Sequence, residues 1–343
     1  MKNKNAVIYA IAAAMFYALN VPCSKLLLDK VAPTFMAGLL YLGAGIGVGI
    51  MYLFHYKKEQ PAERLSKPDF PYAVGMVVLD TIAPILLMLG VKLGTSANAS
   101  LLGNFEIVAT TLIALLLFKE KVSGKLWTAI GLITLSSIIL SFGGRESFSF
   151  SIGSLFVLGA TACWGLENNC TRKISEKSTY QIVTIKGLCS GTGSVIVAMI
   201  VGEKLPHIRY IMPALLLGFV AYGLSIFTYI RAQKDLGAAK TSAYYAFAPF
   251  IGAFLSFVLL HERLTAAYMV ALLVMLVGTA FAAADTLAQH HTHEHTHTFT
   301  HTHDGSTHTH TVSHSHGHDH YISADAHGHH HSLAELEKLL NAH

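Results

Sequence analysis

Two carboxylates lie deep within long apolar stretches of this sequence. Asp80 follows the start of the stretch 72–92 by eight residues, and Glu106 follows the start of the stretch 96–118 by ten. At 1.5 Å per helical residue, both lie about 12–15 Å from a helix end, so they can meet near the middle of a bilayer. No Lys or Arg is expected at that depth, and desolvation and mutual repulsion disfavour the charged forms. The pattern indicates a pair that binds a proton or a cation, with protonated, hydrogen-bonded carboxyls as the structural alternative.

A third buried acid, Glu167, lies about 6 Å from the end of its apolar stretch, and Lys186 lies at a comparable depth in the next stretch. The two can form a structural ion pair or part of a transport site. Cys163, Glu167, Cys170 and Thr171 share one helical face. Two thiols and a carboxylate could bind a soft or borderline cation, although such a face is more often the small, polar side of a packed helix.

Amide and aromatic side chains within or near these stretches could line a cavity for an organic solute, which they would hold by stacking and hydrogen bonds. With the charged residues they make up the candidate substrate and coupling site, which we predict to consist of Asp80, Glu106, Glu167, Asn20, Asn104, Asn168, Trp164, Lys186, Tyr244 and Tyr245. No catalytic residue is expected, because neither a metalloprotease motif nor a hydrolase triad in a plausible loop occurs.

Histidines dominate the segment 290–331, where 17 of 42 residues are His. Imidazole is the commonest ligand for divalent transition metals, and closely spaced histidines in a flexible chain can adopt the required geometry. We therefore expect labile Zn, Ni or Co on this tail and no required cofactor. The predicted ligands are His291, His293, His295, His297, His301, His303, His308, His310, His314, His316, His318 and His320.

Composition indicates an integral membrane protein whose main partner is the lipid bilayer. Of 343 residues, 52% are hydrophobic and 13% are charged, about half the charge of a soluble domain. The small, scattered net charge of +4 argues against nucleic acid as a partner. No phosphate-binding P-loop occurs, so an ATP-driven pump is excluded. The sequence is compatible with a homo-oligomer as well as with a monomer.

Ten stretches have the roughly 20 apolar residues that a membrane helix needs, so the fold class is an all-α integral membrane protein. They are predicted at about 6–28, 34–54, 72–92, 96–118, 124–143, 151–171, 180–202, 211–232, 238–260 and 265–285. With the N-terminus inside, the inner loops carry fifteen Lys and Arg residues and the outer loops six. The positive-inside rule then places both termini in the cytoplasm, in a multi-pass protein of the cell (plasma or inner) membrane.

An internal repeat divides the apolar region. Residues 17–25 (YALNVPCSK) align with 164–172 (WGLENNCTR), and residues 120–123 (EKVS) align with 262–265 (ERLT). Each half has five helices, an odd number, so the second half must enter the membrane inverted.

The predicted organisation therefore has four parts. Two five-helix repeats cover 1–143 and 148–285, and a His-rich disordered cytoplasmic tail covers 286–331. A short amphipathic C-terminal helix is predicted at 332–343 from a capping-box pattern followed by spaced leucines.

These features resemble the drug/metabolite transporter superfamily, specifically its EamA-domain members. The resemblance covers about residues 5–285 and includes Leu93-Gly94, which matches Leu236-Gly237, and Pro249 in the ninth span. It implies a proton-linked or facilitative carrier for small organic solutes, often an exporter, with a cavity between the spans. One departure is Glu106, a carboxylate where that family usually has small or proline residues. The His-rich tail is not part of the family pattern and looks more like segments of zinc and nickel transporters.

Three functions fit these observations. The first is an exporter or importer of a small metabolite, with Asp80 and Glu106 as its coupling site and the tail as an accessory. The second is a divalent-metal transporter in which the tail collects ions below a carboxylate–thiol pathway. The third is a membrane-anchored metal buffer or sensor that transports nothing.

Overall fold

A computed structural model describes residues 2–56, 59–60, 62, 64–118, 122–141, 151–174, 177–236, 241, 244–262, 265–303 and 306–321. The chain forms two units, Met1–Asp285 and Thr286–His343. In the described residues the first unit is built from helices, and the second contains two β-strands.

Five membrane-length segments make up the first half of the helical unit. They are span 1 (Lys2–Ala18 and Asn20–Leu27), span 2 (Pro33–His55), span 3 (Phe70–Leu93), span 4 (Ser96–Leu102 and Phe105–Phe118) and span 5 (Gly124–Ser141). A short 3-10 helix, Lys67–Asp69, leads into span 3, and the side chains of Ser66 and Asp69 cap it reciprocally.

The second half repeats this arrangement. Its segments are span 6 (Ile152–Lys173), span 7 (Thr179–Ile185, Lys186–Ser190 and Gly191–Ile200), span 8 (Ile208–Gly218, Phe219–Leu224 and Ser225–Leu236), span 9 (Ala248–Leu260) and span 10 (Ala266–Leu287). Lys186–Ser190 and Phe219–Leu224 are single π-helical turns within otherwise α-helical spans.

The membrane fold class is confirmed. Within the described residues, eight helical segments are long and apolar enough to cross a bilayer, and Ala248–Leu260 is a shorter apolar helix. Span 6 adds a 22-residue helix that carries Glu167, Arg172 and Lys173. The ten predicted spans are thus present as helices. Which side of the membrane each end faces stays a prediction from the charge count.

Two spans are interrupted within their length, and the helix of a third begins directly after a turn. Span 1 breaks at Leu19, span 4 breaks at Gly103 and Asn104, and a turn at residues 246–247 precedes the helix of span 9. Pro22 contributes to the first break because it has no N–H to bond the carbonyl of Ala18. Interrupted helices at membrane depth expose backbone groups, and in transporters they line binding sites.

Glycine allows spans 2 and 8 to pack at backbone distance. A Cβ added at Gly43 would lie 2.0 Å from the carbonyl oxygen of Leu215, and one added at Gly218 would lie 2.0 Å from that of Leu40. No side chain fits at either position without separating the helices. The small residues of span 2 therefore serve close helix packing, as is usual in lipid.

Two strands are described within the predicted His-rich tail. Ala288–His303 and Ser306–Tyr321 form two antiparallel strands, β1 and β2, which pair from Ala288 with Tyr321 to His303 with Ser306. The physical reason is the period-two alternation of His with Thr or Ser, because alternation and β-branched Thr both favour strands. The predicted C-terminal helix at 332–343 lies outside the described residues.

Replacement of Gly43 by Ala tests the packing of spans 2 and 8. We expect a loss of about 1–3 kcal/mol in unfolding free energy, because the added methyl overpacks the contact. Gly131→Ala is the matched control: it also lies within a helix, and a Cβ there meets nothing within 4 Å. Thermal unfolding in detergent would measure both variants. Equal transition temperatures would contradict the backbone contact.

Candidate functional site

Three spans bring one ammonium group and two carboxylates together. Lys186 Nζ lies 3.0 Å from Asp80 Oδ2 and 3.0 Å from Glu167 Oε1. The Asp80 and Glu167 side chains are 0% and 2% exposed, and that of Lys186 is 17% exposed. The expectation that no cation lies at the depth of Asp80 is therefore wrong. Lys186 is the first residue of the π-helical turn of span 7, and its long side chain reaches both acids.

Neighbouring groups donate a further hydrogen bond to each of the two acids. The hydroxyl of Tyr41 donates to Asp80 Oδ1 at 2.9 Å, and Trp164 Nε1 donates to that hydroxyl at 3.4 Å. The hydroxyl of Thr171 donates to Glu167 one helical turn away. Each carboxylate is thus held by an ion pair and by a hydrogen bond from a separate group, which fixes its position.

Glu106 has a different partner from Asp80. Asn168 Nδ2 donates to Glu106 Oε1 at 2.6 Å, and it also lies 3.3 Å from the Thr110 hydroxyl. Glu106 occupies the first turn of Phe105–Phe118, directly after the break in span 4. The predicted acidic pair is therefore divided between two sites, and span 6 contacts both through the adjacent residues Glu167 and Asn168.

Aromatic rings pack beside the charged cluster. The ring of Tyr222 lies 5.8 Å from that of Tyr17 and 5.1 Å from that of Tyr41, and the Tyr17 ring lies 5.7 Å from that of Tyr245. Asn20 Nδ2 donates to the Tyr222 hydroxyl at 2.8 Å. Tyr17, Tyr41 and Tyr222 were missed by the sequence analysis. The sequence feature that could have identified them is a tyrosine within an apolar span, because its buried hydroxyl needs a polar partner.

Two predicted residues make none of the contacts described above. Tyr244 is 38% exposed. Asn104 is buried at the break in span 4, and its Nδ2 has no hydrogen-bond partner among the described residues. An unpaired buried amide is costly, so Asn104 is a candidate to bind a solute group that accepts a hydrogen bond.

The structure does not support a metal centre on the cysteine-containing face of span 6. In the part of the chain that the structure describes, no group of three or more His, Cys, Asp or Glu side chains is placed to hold an ion. Glu167 instead pairs with Lys186 and Thr171. The packing interpretation of Cys163 and Cys170 is the one that the contacts support.

Two charged side chains, those of Lys25 and Glu262, hold the turn between spans 3 and 4 by binding its backbone groups. Lys25 Nζ donates to the carbonyls of Val91 at 2.6 Å and Gly94 at 2.7 Å, at the end of span 3. Glu262 accepts from the backbone N–H of Ser96 at 2.7 Å and of Ala97 at 2.8 Å, at the start of span 4. A cation thus caps one helix end and an anion caps the next, each with the favourable sign.

Lys186→Met should lower the stability of the protein by about 3–5 kcal/mol, because it leaves two buried acids without their counter-ion. The triple variant Asp80→Asn, Glu167→Gln, Lys186→Met should recover part of this loss. Thermal unfolding in detergent would measure both. Lys177→Met is the control, since Lys177 lies 3.9 Å from Asp69 and is 25% exposed; it should change little.

Glu262→Ala should destabilise the protein more than Glu262→Gln does. Alanine removes both acceptors for Ser96 and Ala97, whereas glutamine keeps one neutral oxygen, and a hydrogen bond to a charged group contributes about 1.5–3 kcal/mol. The measurement is thermal unfolding, with Asp29→Ala at an exposed position as the control. If alanine and glutamine variants unfolded at the wild-type temperature, Glu262 would have no capping role.

Comparison with known proteins agrees with this architecture. The model of the EamA-like transporter family matches residues 4–142 and again residues 151–284. The chain is 25% identical over 288 residues to an uncharacterized transporter of Methanothermobacter thermautotrophicus, a match that covers 78% of this chain and 83% of that protein. It is 22% identical over 274 residues to the uncharacterized transporter YyaM of Bacillus subtilis, covering 75% and 87% respectively.

A solved structure described as the crystal structure of a protein has the same fold. It superposes with a TM-score of 0.60 at 16% identity and covers 82% of this chain and 96% of its own. The twofold family match, the ten helical spans and the relatives lead to one conclusion: the chain is a multi-pass membrane protein that belongs to the EamA-like transporter family.

Proposed function

We propose that this protein is a secondary transporter that links the movement of a small organic solute to that of protons. The observation that carries the proposal is the position of Lys186, which pairs at 3.0 Å with Asp80 of span 3 and at 3.0 Å with Glu167 of span 6. Membership of a transporter family favours transport over catalysis. Asp80, Lys186 and Glu167 are the proposed coupling site.

The coupling follows from the cost of separating buried charges. Breaking a buried ion pair by removing one charge costs about 3–5 kcal/mol, because the other charge stays uncompensated. A proton that binds Asp80 or Glu167 neutralises one of the two partners of Lys186, which then pairs with the other acid alone. Spans 3, 6 and 7 can separate at the neutralised contact without leaving a bare charge. Proton binding would therefore change which spans are held together.

The solute would bind beside this cluster, against the tyrosine rings and the amides. Tyr17, Tyr222 and Tyr245 offer aromatic faces, and Asn104 offers an unpaired donor. Asp80 and Glu167 carry two carboxyl groups against the single ammonium of Lys186, and Glu106, which pairs with Asn168, adds a third carboxyl group at the neighbouring site. This excess of acid favours a solute with an amino group, such as an amino acid or amine, because a cation is stabilised both by carboxylates and by tyrosine faces.

Transport of a divalent metal is the second candidate, and the His-rich tail is the observation that favours it. A membrane-anchored metal buffer or sensor uses the same tail. For the metal transporter, the membrane unit would need a metal path, and the groups around Lys186 offer oxygen ligands that are already paired with an ammonium. The organic solute is therefore the preferred cargo. We infer a plasma or inner membrane location with both termini cytoplasmic from the fifteen basic residues on inner loops.

Asp80→Asn and Glu167→Gln should uncouple transport from protons. In proteoliposomes, a panel of radiolabelled amino acids and amines would identify a solute whose flux responds to an imposed pH gradient. Both variants should lose that response while solute exchange without a gradient persists, because the amides cannot carry the proton. The measurement is solute flux with and without the gradient.

Asp29→Asn is the matched control, since it also removes one carboxylate but at an exposed position. It should respond to the gradient like the wild type. An unchanged gradient response in both Asp80→Asn and Glu167→Gln would contradict the coupling site. Flux of Zn²⁺ that is reported by an ion-selective dye and is not lost after deletion of 286–343 would favour the metal transporter instead.

A further inference from the structure

A groove lies on the surface of the helical unit, between the start of span 3 and the middle of span 7. Its volume is about 750 Å³, which is in the range of pockets that hold a small organic molecule. Phe70, Val74 and Val78 line the groove from span 3, and Ile185 and Cys189 line it from span 7. These side chains are apolar and belong to membrane-spanning segments, so an occupant has to be apolar along this length.

One end of the groove is polar. Ser66, Lys67 and Asp69 line it there, in the turn and the short helix that precede span 3. The Asp69 carboxylate accepts hydrogen bonds from the N–H and the hydroxyl of Ser66 at 2.8 and 2.6 Å, and it lies 3.9 Å from Lys177 Nζ. Lys67 is exposed, and within the described residues its ammonium has neither an ion pair nor a hydrogen bond. This ammonium can therefore bind an anion from outside the chain.

The apolar part of the groove has nearly the length of one membrane leaflet. From Phe70 to Val78, span 3 rises about 12 Å at 1.5 Å per residue. One leaflet contributes about 15 Å to the hydrocarbon core, half of its thickness of roughly 30 Å. Lys67 precedes the first residue of the span and so lies at the level of the headgroups. The groove thus matches one acyl chain that is attached to a headgroup beside Lys67.

The charge of Lys67 favours an anionic headgroup. The positive-inside count predicts that the loop before span 3 is cytoplasmic, and the cytoplasmic leaflet carries anionic lipids that attract basic residues. A phosphate with no cation of its own is the complementary partner for an unpaired ammonium. A zwitterionic headgroup is less suitable, because it brings a second cation close to Lys67.

The inner side of the groove adjoins the charged cluster. Ile185 directly precedes Lys186, and Val77, which also lines the groove, lies about one helical turn before Asp80. The hydroxyl of Ser190 donates to the carbonyl of Val77 at 3.1 Å, so spans 3 and 7 are in contact beside the groove. A molecule in the groove would therefore touch both of the helices that supply Asp80 and Lys186.

We propose that this groove binds one anionic phospholipid from the cytoplasmic leaflet. One acyl chain lies along Phe70, Val74 and Val78, and the headgroup phosphate pairs with Lys67. The lipid occupies the space between spans 3 and 7. The proposal does not depend on the transported solute or on proton coupling.

Fluorescence quenching by brominated lipid tests the proposal in the full-length protein. Phe70→Trp places a reporter in the groove, in a background in which the exposed Trp127 is replaced by Phe and the buried Trp164 gives a constant signal. Vesicles of phosphatidylcholine would contain a small fraction of lipid that is brominated in the upper acyl chain, either phosphatidylglycerol or phosphatidylcholine. Phosphatidylglycerol should bind at the reporter about fivefold more tightly, which is the ratio that one basic residue near an anionic headgroup provides.

Three control variants isolate the groove and its lysine. Phe281→Trp places the reporter at an exposed position of span 10 and should be quenched equally by both lipids. Lys67→Met should abolish the preference at Phe70→Trp, whereas Lys92→Met, at the other end of span 3, should retain it. Equal quenching by the two lipids at Phe70→Trp, or a preference that survives Lys67→Met, would contradict the proposal. A preference of the same size at Phe281→Trp would also contradict it, because the attraction would then be general.

A second measurement does not depend on a reporter. The protein would be incubated with phosphatidylglycerol in detergent, washed, and examined intact by mass spectrometry. The wild type should retain one lipid, and Ala73→Phe, which adds bulk inside the groove, should lose it. Ala267→Phe makes the same change at an exposed position of span 10 and should retain the lipid. A wild type without retained lipid, or an Ala73→Phe variant that keeps it, would show that the groove is not the binding site.

Discussion

The single ammonium group of Lys186 has to pair with two buried carboxylates from two other helices, and the surrounding spans are arranged to allow this. The π-helical turn begins at Lys186, so the side chain projects between spans 3 and 6. Tyr41 and Thr171 supply the remaining hydrogen bonds. Because a charge in the membrane is stable only with its counter-charge, these three spans cannot be repositioned independently. Both the proposed solute site and the packing of these helices depend on this pairing of charges.

The two repeats share a geometry but differ in chemistry where their helices are interrupted. Span 4 restarts at Phe105 with Glu106 in its first turn, and span 9 restarts at Ala248 with Pro249 in its first turn. A carboxylate is favoured at a helix N-terminus by the dipole, and proline is favoured there because no N–H is needed. Both residues therefore suit the same backbone position. Of the two side chains, only that of Glu106 can bind a polar group. The candidate site is therefore asymmetric although the two repeats have the same arrangement of helices.

Much of the fold was predictable because bilayer thickness and charge placement act through simple sequence patterns. Ten apolar stretches and the repeat gave the helices, and the buried acids identified Asp80 and Glu167. The pairing of Lys186 with Asp80 was not predictable from depth alone, since a long side chain and a π-helical turn move the ammonium along the helix axis. The break at Asn104 has no proline to signal it.

The turn between spans 3 and 4 is clamped from both sides by residues of opposite repeats, Lys25 from span 1 and Glu262 from beyond span 9. The carbonyls at the end of one helix and the N–H groups at the start of the next are thus hydrogen-bonded by side chains that belong to neither helix. If either Lys25 or Glu262 moves away from this turn, two of these four backbone groups lose their partners, so opening the bundle at this end has to supply other partners for them.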